Sequence, residues 1–345
     1  MINYQVLDAA ICPVPDDSEI DFTIIDSIVK NTHNTWQKAR SRNELYQNTV
    51  MGKRAEFAFE KLISETCVSK FLSYDKFRED HFKKHAPFDG LLFSPDLDES
   101  IIDSLVAQIN NEIRKGNYSG SISSHLRKQL EEKNIFTVEI KSSHIKQNEL
   151  RGVSQNFPRS LQDKKTIIRN INQRDYFIYP HYLRSSNSVS TFYEYAELER
   201  NKQPDLNSLG NQRALAKLLR IEYENACTIY TRLYFDDKCR EIYVPGYLLK
   251  EQFFREPIIC KMPGKKSGSA VYFIHSITEG NTVFKIDSNT SLWNRTQEEI
   301  EKGLFANHVV NCPTCGLPLK ICKNENSKRY FFRCFNCETN MDLSF

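Results

Sequence analysis

The chain has 345 residues, of which 40% are hydrophobic and 26% charged, and its formal net charge is +3. These proportions are ordinary for a folded soluble protein, and the small net charge excludes a strongly basic field, so nucleic-acid binding would have to come from local patches. No stretch reaches the roughly 18 apolar residues of a membrane helix, and the first residues lack the pattern of a signal peptide. We therefore expect a cytoplasmic protein without a membrane partner.

The N-terminal part of the chain predicts helices. Residues 1–47 are expected to form a helical extension, because Ile24, Ile25 and Ile28 have helical apolar spacing. A stronger helix is predicted from residue 48 to about 67, with an apolar stripe along one face. The residues of that stripe are Ala55, Ala58, Phe59, Leu62 and Ile63.

The rest of the chain alternates predicted strands with helices. The strands are expected near residues 70–74, 87–93, 135–141, 176–179, 228–235 and 240–244. Two helical insertions are expected at about 95–133 and 184–225. The expected organisation is a core over residues 48–290, a linker over 291–305 and a small module over 306–345. This mixture indicates an α/β protein with a sheet flanked by helices.

The strand predicted at 135–141 carries two charged residues on one face. Side chains alternate along a strand, so Phe136, Val138 and Ile140 would face a core while Glu139 and Lys141 share the opposite face. A solvated strand face with a salt bridge gives the same pattern. A Glu-x-Lys sequence is therefore informative only together with other acids.

Two further acids are candidates for the same site. Asp89 stands in Pro87-Phe-Asp-Gly at the head of an apolar strand, where Gly90 would let backbone or ligand approach. The alternative is a simple Asp-Gly turn. Glu56 lies at the edge of the helical apolar stripe, where it could look along the packed face, although it could equally be an ordinary helix-flank glutamate.

Together these residues suit hydrolysis of a phosphodiester. Mg²⁺ prefers oxygen ligands, and Asp89, Glu139 and the backbone carbonyl of Ile140 could supply them. Lys141 could orient or deprotonate the attacking water and stabilise developing charge. Glu56 could accept a hydrogen bond from a metal-bound water or bind a second ion.

The order Gly52-x-x-x-Glu56 on a helix, Pro87-Phe-Asp-Gly, then Val138-Glu-Ile-Lys on a strand resembles the PD-(D/E)XK, or restriction-endonuclease-like, nucleases. The resemblance covers roughly residues 48–250, and the segment 241–253 is similar to the closing strand and turn of many members. The distance from Asp89 to Glu139 is long for the family, so the first helical insertion would have to fill it.

This resemblance implies a restriction-endonuclease-like mixed sheet and cleavage of DNA with Mg²⁺ or Mn²⁺. A restriction or anti-phage defence role is an analogy. Cutting both strands implies a pair of active sites, hence a homodimer, and any ATPase or helicase activity would come from a partner, because the chain lacks a phosphate-binding loop signature. The rival hypothesis is a non-catalytic scaffold that binds nucleic acid or protein through a degenerate nuclease core.

Five of the ten cysteines fall between Cys312 and Cys337. The pairs Cys312-x-x-Cys315 and Cys334-x-x-Cys337, separated by 18 residues, are typical of a tetrahedral Zn²⁺ site. A redox pair or disulfides are the alternatives. Cys322 has no partner at this spacing and is expected to be a bystander.

The module at 306–345 resembles the zinc ribbons at the C-termini of type I DNA topoisomerases, through Cys312-Pro-x-Cys-Gly-x-x-Leu and the aromatic run before the second pair. This implies a module that contacts DNA, in which Tyr330 would stack on bases while cations meet phosphates. The cations are Lys328, Arg329 and Arg333. Alternatively the aromatic residues pack the small core and the ribbon binds protein.

Overall fold

The computed structural model describes most of the chain and divides it into two compact units. The first unit comprises Met1–Tyr176, Cys227–Leu249 and Ser276–Asn294, and the second comprises Phe177–Ala226, Lys250–His275 and Arg295–Phe345. The described residues are 4–31, 41–116, 120–173, 175–178, 222–255, 258–263, 269–277, 280–293, 312, 314–315, 317, 320–323, 330–334, 336–338 and 340–342.

The described elements include strands and helices in mixed order. The strands are β1 (Tyr4–Val6), β2 (Ala9–Pro13), β3 (Lys70–Ser73), β4 (Gly90–Phe93), β5 (Ile135–His144), β6 (Asp175–Ile178), β7 (Ile229–Asp236), β8 (Glu241–Val244), β9 (Tyr247–Leu249), β10 (Ile258–Pro263), β11 (Ser269–Ser276), β12 (Lys320–Lys323), β13 (Tyr330–Arg333) and β14 (Asn340–Asp342). The helices are α1 (Phe22–Asn31), α2 (Arg42–Thr66), α3 (Glu99–Lys115), α4 (Ser124–Glu132), α5 (Leu161–Asn172), α6 (Lys250–Arg255) and α7 (Thr290–Trp293). The predicted α/β class is confirmed.

The first unit is built on a mixed sheet of eight strands. Its order is β1-β2-β8-β7-β5-β4-β3, and β9 also pairs with β7. The pair β5–β7 is parallel, whereas β4 is antiparallel to both β3 and β5. The longest strand, β5, therefore lies inside the sheet with a neighbour on each side, which fixes the backbone that carries Glu139 and Lys141.

Helix α2 packs on one face of this sheet. Its N-terminus is capped by Ser41, whose side chain accepts a hydrogen bond from the backbone N–H of Glu44. Phe59 and Leu62 are fully buried in the same core as Val138 and Ile140 of β5. The predicted stripe and the predicted strand alternation are thus confirmed, because both bury their apolar sides against each other.

The N-terminal segment differs from the expectation of a helical extension. Residues 4–13 form β1 and β2, and β2 pairs with β8 inside the main sheet. The apolar run Ala9–Cys12 is buried throughout, and such a short run does not reveal by periodicity whether it is strand or helix. Helix α2 also begins at Arg42 rather than near residue 48, since Ser41 and Glu44 provide the start signal.

Helices α3 and α4 occupy the predicted positions between β4 and β5. Because β4 and β5 pair directly, these helices replace what would otherwise be a hairpin loop. Of the second expected insertion only residues 222–225 are described, and the expected linker is described only as far as Trp293.

The second unit contains two small sheets. One has the order β10-β11-β6 and the other β12-β13-β14. Phe254 packs edge-on against Phe273, with ring centroids 5.1 Å apart, and Tyr223 donates a hydrogen bond of 2.8 Å to Glu251. None of the helices in the described part of the chain has the length and apolar character needed to cross a membrane.

Candidate functional site

Glu139 and Lys141 alternate along β5 with Val138 and Ile140, which are buried in the core. Lys141 Nζ donates to Glu139 Oε1. The side chain of Glu139 is 13% exposed and that of Lys141 is 40% exposed, so the carboxylate is shielded while the ammonium group reaches solvent. This ion pair is compatible with both the catalytic interpretation and a simple salt bridge. The positions of the other acids are therefore needed to distinguish the two.

Asp89 is fixed beside β5 by three hydrogen bonds. Its backbone N–H donates to Val138 O at 2.8 Å, and its own carbonyl accepts from Tyr74 N at 2.9 Å. Its carboxylate Oδ2 accepts from the backbone N–H of Ile140 at 2.5 Å. The residue therefore continues the sheet rather than forming an isolated turn, and its carboxylate is held next to Glu139.

Gly90 makes a different close approach from the one expected. A Cβ atom at this position would lie 2.2 Å and 2.6 Å from ring carbons of Phe71 and 2.9 Å from the carbonyl oxygen of Leu72. The glycine therefore admits the Phe71 ring from the neighbouring strand β3. It helps to pack β4 against β3, and the position of Asp89 depends on that packing.

The backbone carbonyl of Ile140 points to the same side as Asp89. In a strand the N–H and C=O of one residue point in the same direction, as the pairing of hydrogen-bonded residues requires. Since the N–H of Ile140 meets Asp89, its carbonyl is directed to the same edge. Its expected role as a metal ligand is compatible with this direction and stays a prediction.

Glu56 contacts a lysine on its own helix. Lys53 Nζ lies 2.7 Å from each carboxylate oxygen of Glu56. The same nitrogen lies 2.6 Å from Asp75 Oδ2. Sequence reasoning missed Asp75, which stands in the short 3-10 turn Tyr74–Lys76 that follows β3. The carboxylate site is hereafter the set Glu56, Asp75, Asp89 and Glu139 with Lys53 and Lys141.

Two acids of the carboxylate site have raised pKa values, and burial is the largest cause. Burial raises the pKa of Asp89 and the charge of Glu139 raises it further, which together outweigh Lys141 and give about 6. Burial also raises the pKa of Glu56; Lys53 lowers it, but the charges of Asp89 and Asp75 add to the increase and the result is about 8. In each case the charge of a neighbouring acid adds to the effect of burial.

The carboxylate oxygens nevertheless do not converge on one point. Within the described parts of the chain, the four paired cysteines are the group of three or more metal-binding side chains whose donor atoms lie within 4.8 Å of one another. In the carboxylate site, Asp89 is turned to Ile140, Glu139 to Lys141 and Glu56 to Lys53. The acids are neighbours, but each contacts a protein donor.

A buried thiol forms part of the same environment. Cys227 Sγ can donate to Pro87 O and to Glu139 Oε2, each at 3.8 Å. Burial raises the pKa of Cys227 to about 12, with a further contribution from Glu139, so the thiol stays protonated and acts as a donor. From α4, buried Arg127 donates to Pro87 O at 3.2 Å. Helix α4 therefore helps to support the Asp89 segment.

The four C-terminal cysteines do converge, and they are called the cysteine cluster below. Cys312 Sγ and Cys337 Sγ are 3.3 Å apart, and Cys315 Sγ and Cys334 Sγ are 3.5 Å apart. Sulfur atoms around tetrahedral Zn²⁺ are separated by about 3.8 Å, given Zn–S bonds of about 2.3 Å. The thiols are unbonded, so this cluster could bind a metal such as zinc.

Backbone donors favour ionisation of one of these thiols. Burial raises the pKa of Cys312, but N–H groups of Thr314 and Cys315 outweigh it and lower the pKa to about 6. The pKa of Cys334 is about 11: the N–H of Cys337 lowers it, but burial and the neighbouring thiols prevail. Thiolates are the metal-binding form of cysteine, so one member of the cluster is already prepared for a cation.

The expected DNA-contacting residues are described only in part. Tyr330 and Arg333 are the two ends of β13, and Arg333 pairs in register with Lys320 of β12. Cys322 pairs in register with Phe331. Lys328 and Arg329 lie outside the described residues. A role of this strand in DNA binding stays a prediction.

No protein-family model, curated protein or solved structure matches this chain.

Proposed function

We propose that this chain is a Mg²⁺-dependent DNA endonuclease of the PD-(D/E)XK type, able to use Mn²⁺, with Asp89, Glu139 and Lys141 as catalytic residues. The observation that carries the proposal is the junction of β4 and β5, where Asp89 is hydrogen-bonded to Ile140 between Glu139 and Lys141. An acid, a second acid and a solvent-reaching ammonium group thus lie together where two inner strands of the sheet pair.

The donors present suit a hard divalent cation. They are carboxylate and carbonyl oxygens, the ligands that Mg²⁺ prefers. The raised pKa of Asp89, caused by burial and by Glu139, indicates a place where added positive charge would be stabilising. When bound, such an ion would activate water and neutralise charge on the phosphate.

The protein side chains have separate tasks in this proposal. Asp89 and Glu139 would hold the cation, and the Ile140 N–H would keep the Asp89 carboxylate in place. Lys141, whose side chain is 40% exposed, would move from Glu139 to orient the attacking water and meet the phosphate oxygens. The hydrogen bond from protonated Cys227 would help to orient Glu139.

The proposal is tested by incubating plasmid and linear DNA with the purified chain in Mg²⁺, in Mn²⁺ and in EDTA. Asp89→Asn and Lys141→Ala should each abolish most cleavage, with Lys141→Ala losing about 10²- to 10⁴-fold, the range for a proton-transfer group. Lys128→Ala is a matched control, because Lys128 also pairs with a glutamate and its side chain is 46% exposed. Unchanged cleavage in both site variants would refute the assignment.

A second candidate is a non-catalytic scaffold that binds nucleic acid or protein. The observation that favours it is that Asp89, Glu139 and Glu56 each already contact a protein donor. If the chain binds DNA but cleaves neither DNA nor RNA with either metal ion, this candidate prevails. A defence role, by analogy with restriction enzymes, would follow only from cleavage of foreign or modified DNA.

We also propose that the C-terminal module is a zinc ribbon that contacts DNA, since the cysteine cluster has the geometry for zinc and cationic and aromatic residues flank it in sequence. Replacing Tyr330 and Arg333 with alanine should weaken DNA binding without changing the zinc content. Unaltered DNA affinity in that variant would instead favour a ribbon that binds protein.

A further inference from the structure

Lys53 lies between two carboxylates of the carboxylate site. Its Nζ lies 2.7 Å from Glu56 and 2.6 Å from Asp75. The side chains of Lys53, Glu56 and Asp75 are 19%, 13% and 9% exposed. Exposed ion pairs contribute little to stability. Lys53 is instead shielded from solvent, and its two contacts with acids define the position of its ammonium group.

The ammonium group of Lys53 remains charged in this position. Burial alone would lower its pKa, but the charges and hydrogen bonds of Glu56 and Asp75 outweigh burial and raise the pKa above its ordinary value. Arg78 also approaches Asp75, at 3.4 Å, but its closest carboxylate is Asp80, at 2.7 Å. Lys53 is therefore the cation that Glu56 and Asp75 share.

Lys53 also acts on the proposed catalytic acids. Its charge lowers the pKa of Asp89, after the larger effects of burial, Glu139, Lys141 and the Ile140 N–H. The charge of Asp89 in turn raises the pKa of Glu56, after burial and the opposing effect of Lys53. The charges of Lys53, Glu56 and Asp89 therefore influence one another.

Lys53 is the closest cation to both Glu56 and Asp75. The carboxylate site contains four carboxyl groups and two ammonium groups, Lys53 and Lys141. Without Lys53, Glu56 would lose the cation that contacts both of its oxygens, and Asp75 would keep the more distant Arg78, at 3.4 Å.

We propose that the ammonium group of Lys53 takes the place of a second divalent cation, so that the carboxylate site binds one ion rather than two. This inference rests on the proposed nuclease function and adds its metal stoichiometry. In two-metal sites the ions lie about 3.5–4 Å apart and clamp both sides of the reacting phosphate. Lys53 is a positioning residue: it keeps Glu56 and Asp75 from binding metal and adds positive charge behind Asp89.

The test is the number of Mn²⁺ ions bound by the full chain after its cysteine cluster has been loaded with zinc. Calorimetric titration should give one Mn²⁺ for the native chain and for Lys53→Arg, which keeps the cation. Lys53→Ala and Lys53→Gln should each bind two, because both remove the cation that Glu56 and Asp75 share, and carboxylate oxygens are ligands of a hard cation. A close Mn²⁺ pair also couples magnetically, so the electron paramagnetic resonance spectrum should change in these variants alone.

A matched control is Lys61→Ala on the same helix. Lys61 pairs with Glu19 at 3.1 Å and its side chain is 40% exposed, so its removal should leave the stoichiometry at one. Circular dichroism of each variant establishes folding. If Lys53→Ala and Lys53→Gln both unfold, the native stoichiometry decides, since one ion supports the proposal and two overturn it.

The outcomes separate this inference from the proposed function. Two ions in the native chain, or one ion in folded Lys53→Ala, would overturn the role of Lys53 while leaving the nuclease proposal intact. No Mn²⁺ in the native chain but one in Lys53→Ala would remove the metal-dependent nuclease and retain Lys53 as a cation substitute. No Mn²⁺ in either protein would overturn both.

Discussion

The cysteine cluster and the carboxylate site hold their candidate ligands in opposite ways. The four thiols converge within 4.8 Å of one another, and their sulfur atoms contact one another. In the carboxylate site, by contrast, Glu56 and Glu139 are paired with lysines. The first is a closed arrangement suited to a structural ion, whereas the second requires its side chains to exchange partners, as a catalytic site with an open position does.

The difference follows from the size of the hydrophobic core in each region. A module of about 40 residues has too little core to fold alone, so metal binding must supply most of its stability. The first unit has a large core with Phe59, Leu62 and Phe136 fully buried. Its fold can therefore maintain a site with surplus negative charge that would otherwise be destabilising.

Removing zinc should have the largest effect, and this effect should be confined to the module with the cysteine cluster. Chelation of zinc, or Cys315→Ala, should unfold residues 306–345, because zinc contributes on the order of 10 kcal/mol to such modules. Limited proteolysis should then cut this segment, while thermal unfolding of the first unit changes little. The metal content, measured by elemental analysis under reducing conditions, should fall from one zinc per chain to zero.

Protease resistance that survives chelation would contradict the account of the cysteine cluster. Cys239→Ala is a control, since Cys239 belongs to the first unit and should not affect the zinc content.

The second effect is a pH dependence that only the carboxylate site should show. Asp89 and Glu56 have pKa values raised to about 6 and about 8 by burial. Acids with raised folded pKa values contribute stability that is fully present below their unfolded pKa values of about 4 and is lost as pH rises through the folded values. Without metal the chain should therefore lose a few kcal/mol between about pH 4 and pH 8, since one pKa unit corresponds to about 1.4 kcal/mol.

Thermal unfolding in EDTA and in Mg²⁺ measures this loss. Mg²⁺ should remove most of it in the native chain, and Asp89→Asn should flatten the EDTA profile because one acid is gone. A stability that is level from about pH 4 to pH 8 in EDTA would show that the pKa values of these acids are not raised.

How far the sequence predicted each region depends on how local the pattern is. The stripe around Phe59 and the alternation around Glu139 lie within single elements, which the structure confirms. Each cysteine pair spans four residues, and the structure brings the two pairs together. The fourth acid, Asp75, could not be found this way, because its partner Lys53 is on another element. The pair Lys53–Glu56 has i, i+3 helical spacing and could have been recognised from sequence.

The fold was least predictable at its N-terminus. Strands β1 and β2 are short: β1 pairs with β2, and β2 pairs with β8, which lies more than 200 residues away in the chain. Periodicity within a window cannot detect such a partner. The position of Asp89 was predicted, but its hydrogen bond to Ile140 depends on the register between β4 and β5, which the long helical insertion hides.

A smaller effect should come from Gly90, where the carboxylate site depends on close packing. Gly90→Ala would place a Cβ atom 2.2 Å from the ring of Phe71, so β3 and β4 must separate. Overpacking of this kind costs about 1–3 kcal/mol, measured by urea unfolding. The double variant Gly90→Ala with Phe71→Leu should recover part of the loss; if it is no better than the single variant, the ring contact is not the cause.

The smallest effect concerns Asp163, a carboxylate that accepts several hydrogen bonds. The pKa of this group is lowered, whereas that of Asp89 is raised. Asp163 accepts from Ser154 N at 2.8 Å, Ser154 Oγ at 2.7 Å and Ser160 Oγ at 2.8 Å. The backbone N–H and the hydroxyl of Ser154, followed by the hydroxyl of Ser160, lower the pKa of Asp163 to about 2. A lowered folded pKa contributes stability above the unfolded value of about 4, and this is lost as pH falls toward 2.

Asp163→Asn should therefore destabilise the chain at pH 7, and the difference from the native chain should shrink steadily between pH 4 and pH 2. Urea unfolding at a series of pH values measures this difference, with Asp26→Asn, an exposed acid on α1, as the control. If the two variants have the same unfolding free energy at every pH, the hydrogen bonds to Asp163 do not give this acid a special contribution to stability. The contrast with Asp89, whose pKa is raised, would then lose its physical basis.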